Sequence, residues 1–166
     1  MKKLRILMAG IAILITGVTF AQKRDVGGEI SVGARFGGTL AASLKKHSNY
    51  NKSAFEIIAQ FKDFDNSGSD LDGFALTALF QKLAPLSGSS KLSALIGFGP
   101  SFNFKDEFNL GISGMLGFDL RLKTLPITLQ LDWMPTYYFV NISSFKATNG
   151  AVTARYVLNG RRYNKK

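Results

Sequence analysis

The chain has 166 residues, no cysteine and a formal net charge of +10, with 21 Lys and Arg against 11 Asp and Glu. Without cysteine there is no disulfide framework, no thiolate metal site and no lipid-modified Cys behind a leader. Beyond the N-terminus no segment approaches the roughly 18 consecutive apolar residues of a membrane-spanning helix, so helical spans are excluded as well.

Lys2, Lys3 and Arg5 precede an apolar run from Ile6 to Phe20, and Thr19-Phe20-Ala21 leads into Gln22. This order reads as a secretory signal peptide over residues 1–21, cleaved after Ala21. The alternative, an uncleaved anchor, suits the run less well because it is short and ends at a cleavage-like site. Loss of Lys2, Lys3 and Arg5 lowers the net charge from +10 to +7. An exported chain rarely meets nucleic acid, so the basic balance points instead to anionic lipid headgroups or to a solvated tail.

The mature chain, expected to form one domain over 22–160, shows strand periodicity almost throughout. Ile30, Val32, Ala34 and Phe36 alternate with Glu29, Ser31, Gly33 and Arg35. Gly37-Gly38 then suits a tight turn into a weaker run from Thr39 to Lys46. Phe55, Ile57, Ala59 and Phe61 alternate with Glu56, Ile58, Gln60 and Lys62. Phe74, Leu76, Ala78 and Phe80 alternate with Ala75, Thr77, Leu79 and Gln81. From Leu92 to Phe104 the even positions are apolar. From Leu110 to Leu122 they are again, Gly114 excepted. After a turn at Pro126 the pattern restarts as Ile127, Leu129, Leu131 and Trp133 against Thr128, Gln130 and Asp132, continuing past Pro135 towards Val140. Val152, Ala154, Tyr156 and Leu158 mark the last run, and Arg161, Arg162, Lys165 and Lys166 form a basic tail over 161–166.

The stretches 47–52, 63–72, 84–90, 105–107 and 141–149 are rich in Asn, Asp, Ser, Gly and Lys and read as turns and loops. The expected class is all-β: an antiparallel up-and-down barrel of eight strands, which closure frees of edges. If the apolar faces pointed inward, as in a soluble ligand-carrying barrel, Leu110, Ile112, Leu116, Phe118, Leu120, Leu129, Leu131 and Trp133 would crowd a lumen only just wide enough for side chains. Turned outward they meet hydrocarbon, and the lumen receives Gly33, Gly97, Gly99, Gly111, Gly117, Ser31, Ser93 and Ser113. Apolar-out, polar-in alternation is the pattern of a transmembrane β-barrel. Trp133, Tyr137, Tyr138 and Phe139 are expected at headgroup depth.

The succession "GISGMLGFDLRL", "ITLQLDWMP" and "GAVTARYVL", with a looser match in "GFALTALFQK", resembles the family of small outer-membrane β-barrel proteins of Gram-negative bacteria, of the size of the OmpX and OmpA barrels. In that family a Leu-Asp-Trp-x-Pro stretch is usual, matched here by Leu131, Asp132, Trp133 and Pro135. The resemblance implies an outer-membrane location, contact with outer-membrane lipid and lipopolysaccharide, and insertion by the barrel assembly machinery. That machinery reads an aromatic residue ending the final strand. Tyr156 lies two residues before Leu158, so the signal is matched in part.

Chemistry is sparse. The only histidine is His47, beside Ser48 in a Lys- and Asn-rich turn. Neighbours on a strand face opposite ways, so no Ser–His pair is set for acyl transfer and His47 is expected as a solvated turn residue. "DFDNSGSDLDG", from Asp63 to Gly73, begins like a calcium loop with Asp63, Asp65, Ser67 and Gly68, but its twelfth position is Phe74 where a bidentate Glu belongs. It reads as an acidic hairpin loop, and no metal or cofactor site is assigned. Glu29, Arg35, Glu56, Lys62, Asp119, Arg121, Asp132 and Arg155 face inward, as a polar permeation path or as a plug of paired charges; eight strands leave no aqueous channel, which favours the plug. Gly111, Gly114 and Gly117 are expected to relieve barrel curvature. The expected protein is a monomeric outer-membrane barrel with periplasmic termini and a structural or adhesive role without catalysis. A lipid-modifying enzyme and a small pore are the alternatives.

Overall fold

The computed structural model describes residues 28–48, 52–63, 73–86, 92–104, 108–122, 125–141, 143–147 and 149–158. The signal-peptide, calcium-loop and basic-tail expectations fall almost wholly outside them. Ten strand segments follow one another: β1 (Ile30–Gly37), β2 (Thr39–His47), β3 (Ser53–Asp63), β4 (Phe74–Pro85), β5 (Leu92–Phe104), β6 (Phe108–Arg121), β7 (Ile127–Trp133), β8 (Thr136–Tyr138), β9 (Ser144–Lys146) and β10 (Gly150–Val157). Consecutive antiparallel pairing runs from β1 to β6, β6 pairs with both β7 and β8, and β10 pairs with β7 and with β1, which closes the sheet. Among the described residues no helix is long and apolar enough to cross a membrane.

Ten segments make eight barrel strands. β7 and β8 hold one register against β6, from Arg121 opposite Thr128 to Gly111 opposite Tyr138, so they form one strand interrupted where Pro135 lacks an N–H. The Gly114 amide donates to the Pro135 carbonyl across the break, at 2.9 Å. β9 and β10 likewise make one strand, but its register slips by one residue around Ala147–Asn149. There β8 pairs Thr136 with Lys146, whereas β7 pairs Trp133 with Gly150. This is a β-bulge, and the buried Asn149 side chain enters the lumen from it. A second irregularity in the β2–β3 register falls between Leu40 and Ala41.

The expected class and strand number are thus observed, with differences at the edges. β4 runs on to Pro85, into the stretch read as a loop, and β9 lies within the expected 141–149 loop. The β1–β2 hairpin turns at Gly37-Gly38 as expected, though neither glycine has a positive φ. Gly37 is needed for another reason: a Cβ there would sit 2.6 Å from the Ala151 Cα on β10. Among the described non-glycine residues positive φ occurs at Asn141 (63°), between β8 and β9, where the side-chain amide donates to the Phe108 carbonyl.

Inside and outside follow the alternation. Phe36, Phe55, Phe98, Ile112, Phe118, Leu131 and Tyr156 project outward, each 48 % exposed or more, while Ser31, Ser93, Ser101, Ser113 and Thr153 are buried to 1 % or less. Rings line the outer wall at the end away from the termini, where Phe61, Phe74, Phe104, Phe108 and Phe102 succeed one another at centroid separations of 5.6–6.0 Å. Of the four aromatics expected at headgroup depth, Trp133, Tyr137 and Phe139 are outside, but Tyr138 is 4 % exposed and points into the lumen. Trp133 lies midway along its strand rather than at an end, its indole N–H donated to the Ala147 carbonyl at the bulge.

Candidate functional site: the ion-paired lumen

The lumen has two unlike sides. On β3 to β6, Ile58, Leu79, Leu83, Leu95 and Met115 pack inward as an apolar cluster joined by Ala41, Ala54 and Met134. The alternation places these residues on the inner face, but their apolar character departs from the glycine- and serine-lined interior expected. Beside them lies a charged network whose cations come from β1, β2 and β10 and whose carboxylates come from β3, β6 and β7, and in it Arg35, Lys45 and Arg155 are buried to 1 % or less.

Each pair in this network bridges strands that are not neighbours in the sheet. Arg35 on β1 donates from Nη2 and Nε to Asp132 Oδ1 on β7, at 2.7 and 3.2 Å, and its Nη1 reaches Thr39 and the bulge residue Asn149. Lys45 on β2 crosses the lumen to Asp119 on β6 at 3.0 Å and to Gln130 Oε1 at 2.9 Å. Arg155 on β10 pairs with Glu56 on β3, and its Nε donates to Ser43 Oγ at 2.7 Å. Glu56 also accepts from Ser43 at 2.6 Å and from Gln81 at 2.5 Å. Near the termini, half-buried Arg121 pairs with Glu29. Gly117 on β6 lies tight against β7, where a Cβ would meet the Asp132 backbone at 2.9 Å.

Of the charges expected inside, Glu29, Arg35, Glu56, Asp119, Arg121, Asp132 and Arg155 are there, and all are ion-paired. The Lys62 side chain lies outside the described ones. Lys45 was missed. Its strand carries only Leu40 and Leu44 as large apolar residues, yet the weak alternation of Thr39, Ala41, Ser43 and Lys45 against them contained the signal. Opposite charges desolvated together are retained only when partnered and hydrogen-bonded, and removing one partner strands the other. The network therefore ties the barrel wall together across its middle.

His47 corrects an expectation. It is not a solvated turn residue but the last residue of β2, 3 % exposed, with its amide donating to the Glu29 carbonyl at 2.8 Å. The strand runs one residue further than its sequence suggests, and odd positions on β2 face the lumen. Ser48 is exposed on the other side, so the two are not brought together. Ser43 donates to the Glu56 carboxylate and accepts from the Arg155 guanidinium, so its hydroxyl is held within the ion-paired network rather than set beside a histidine.

Among the described residues no three His, Asp or Glu side chains gather as a metal site. Of the calcium-loop residues, Phe74 is described: it projects from the outer wall between the Phe61 and Phe104 rings and is no ligand position. Comparison with known protein families, with curated proteins and with solved structures returned no match.

Proposed function

We propose that the chain is an outer-membrane β-barrel protein whose lumen is closed by ion pairs and which acts structurally or in surface binding, without catalysis. One observation carries the reading: the barrel is apolar on its outer wall all the way round, and every carboxylate whose side chain is described is held inside. Val32, Leu44, Phe55, Phe80, Phe98, Ile112, Leu131 and Val152, drawn from eight different segments or faces of the wall, are each 41 % exposed or more. Soluble monomers rarely present a contiguous apolar patch beyond about 300–600 Å², whereas lipid requires such a belt and a sheet without edges. The resemblance in "GISGMLGFDLRL" and "ITLQLDWMP" to small outer-membrane barrels, and the signal-peptide pattern over residues 1–21, support the same location.

The termini would then lie on the periplasmic side, with lipopolysaccharide and outer-membrane lipid as partners and the barrel assembly machinery as the route in. Membrane fractionation followed by gel electrophoresis with and without heating tests it. A band in the outer-membrane fraction that migrates faster unheated than heated is expected, and a soluble protein with a single mobility would overturn the proposal.

A further inference from the structure

We propose that the outer wall at the termini end carries a binding site for an anionic phospholipid headgroup, built from Lys46, Ser53 and Lys82. Lys46 on β2 lies opposite Phe55, and Lys82 on β4 lies opposite Ser53, so the two lysines stand on either side of β3, offset by two residues along it. All three strands turn at this end, next to the strand ends that bear the termini. Two strand spacings of about 4.8 Å separate β2 from β4, within the combined reach of two lysine side chains. Both lysines are exposed, and the Lys82 ammonium stands 5.4 Å from the centroid of the Phe80 ring. Exposed Lys52 follows beside them, its carbonyl accepting from the Leu83 amide at 2.9 Å.

Charge complementarity selects the occupant. Every carboxylate whose side chain is described, namely Glu29, Glu56, Asp119 and Asp132, is inside the barrel in an ion pair, so the described outer wall offers these lysines no anion. Immediately above them the wall is apolar, with Leu44 at 45 %, Phe55 at 48 % and Phe80 at 43 % exposure. Lysines whose stems cover an apolar surface while their ammonium groups reach past its edge match a lipid whose chains lie on that surface and whose phosphate lies at its border. Ser53, half-exposed between them, adds a hydroxyl donor. The site rests on the membrane reading above, and its occupant is an anionic glycerophospholipid of the leaflet on the termini side.

The test uses the folded full chain in phosphatidylcholine vesicles doped with spin-labelled phosphatidylglycerol or spin-labelled phosphatidylcholine, comparing the fraction of each label immobilised by protein. Immobilised phosphatidylglycerol is expected to exceed phosphatidylcholine, by at most about fivefold per lysine, the equivalent of about 1 kcal/mol. Lys46→Gln with Lys82→Gln should bring the ratio near unity, and neutralising Arg161, Arg162, Lys165 and Lys166 should leave it raised. Preference surviving the lysine pair variant, or lost with the tail, would overturn the site. If neither label is immobilised, the barrel has not entered the bilayer and the membrane reading fails first.

Discussion

Glu56 shows at the residue scale why the lumen is an all-or-nothing arrangement. Its carboxylate accepts from Ser43, Gln81 and Arg155, and Arg155 in turn reaches Ser43 and Gln130, so one side chain links β2, β3, β4, β7 and β10. Glu56→Gln keeps the shape but leaves the Arg155 guanidinium without its counter-charge, and a loss of about 3 to 5 kcal/mol is expected in urea unfolding from vesicles. Replacing both Glu56 and Arg155 by Met should recover most of that loss, since the pair's cost of desolvation disappears with its attraction. Recovery in the double variant, read against each single one, separates the ion pair from simple packing. His47→Ala, by contrast, should leave any lipid-related phenotype unchanged while the barrel still shows its heat-dependent mobility. Loss of that phenotype in a folded variant would return the enzyme alternative to the front.

At the scale of an element, the β6–β7 hairpin was the most legible part of the sequence. Its alternation is strict over many residues, and a period of two leaves each side chain only one face to choose. Leu116 and Leu129 accordingly face outward, Leu116 at 44 % exposure and midway along β6, Leu129 half-buried between Leu120 and Ala154. Ser113 and Thr128 face the lumen, and Ser113 shares a hydrogen bond of 2.7 Å with Thr136. Leu116→Lys is therefore expected to cost about 2 to 4 kcal/mol in vesicles, and Thr128→Ser little. Equal tolerance at both positions would mean that the outer wall does not meet hydrocarbon. Other elements were less readable, for physical reasons. The bulge at Ala147–Asn149 is a one-residue slip that leaves no mark in composition. β2 hid Lys45 and His47 because small outward residues such as Ala42 blur the contrast on which periodicity depends. On β3 to β5, residues such as Ile58, Leu79 and Leu95 are apolar on the inner face as well, so "FEIIAQF" and "FALTALF" conceal a lumen that is greasy on one side.

For the whole molecule, the decisive property is that cations and carboxylates meet across the lumen rather than along its wall. Lys45 and Asp119 stand on β2 and β6, opposite each other in the eight-stranded ring, and Arg35 with Asp132 and Arg155 with Glu56 close it at other points. An interior of this strand number is just filled by side chains, which on the proposed reading closes it to ions. The intact protein in planar bilayers is therefore expected to show no steady conductance. Replacing Arg35 and Arg155 together by Ser removes two of the largest buried side chains and leaves Asp132 and Glu56 without their guanidinium partners. A folded double variant, verified first by its heat-dependent mobility, should then admit water and pass cations in preference to anions, because Lys45 stays paired with Asp119 and the fixed charges left unpartnered are the Asp132 and Glu56 carboxylates. Steady conductance in the unsubstituted protein would instead make the lumen a permeation path and its ion pairs a lining that ions move past.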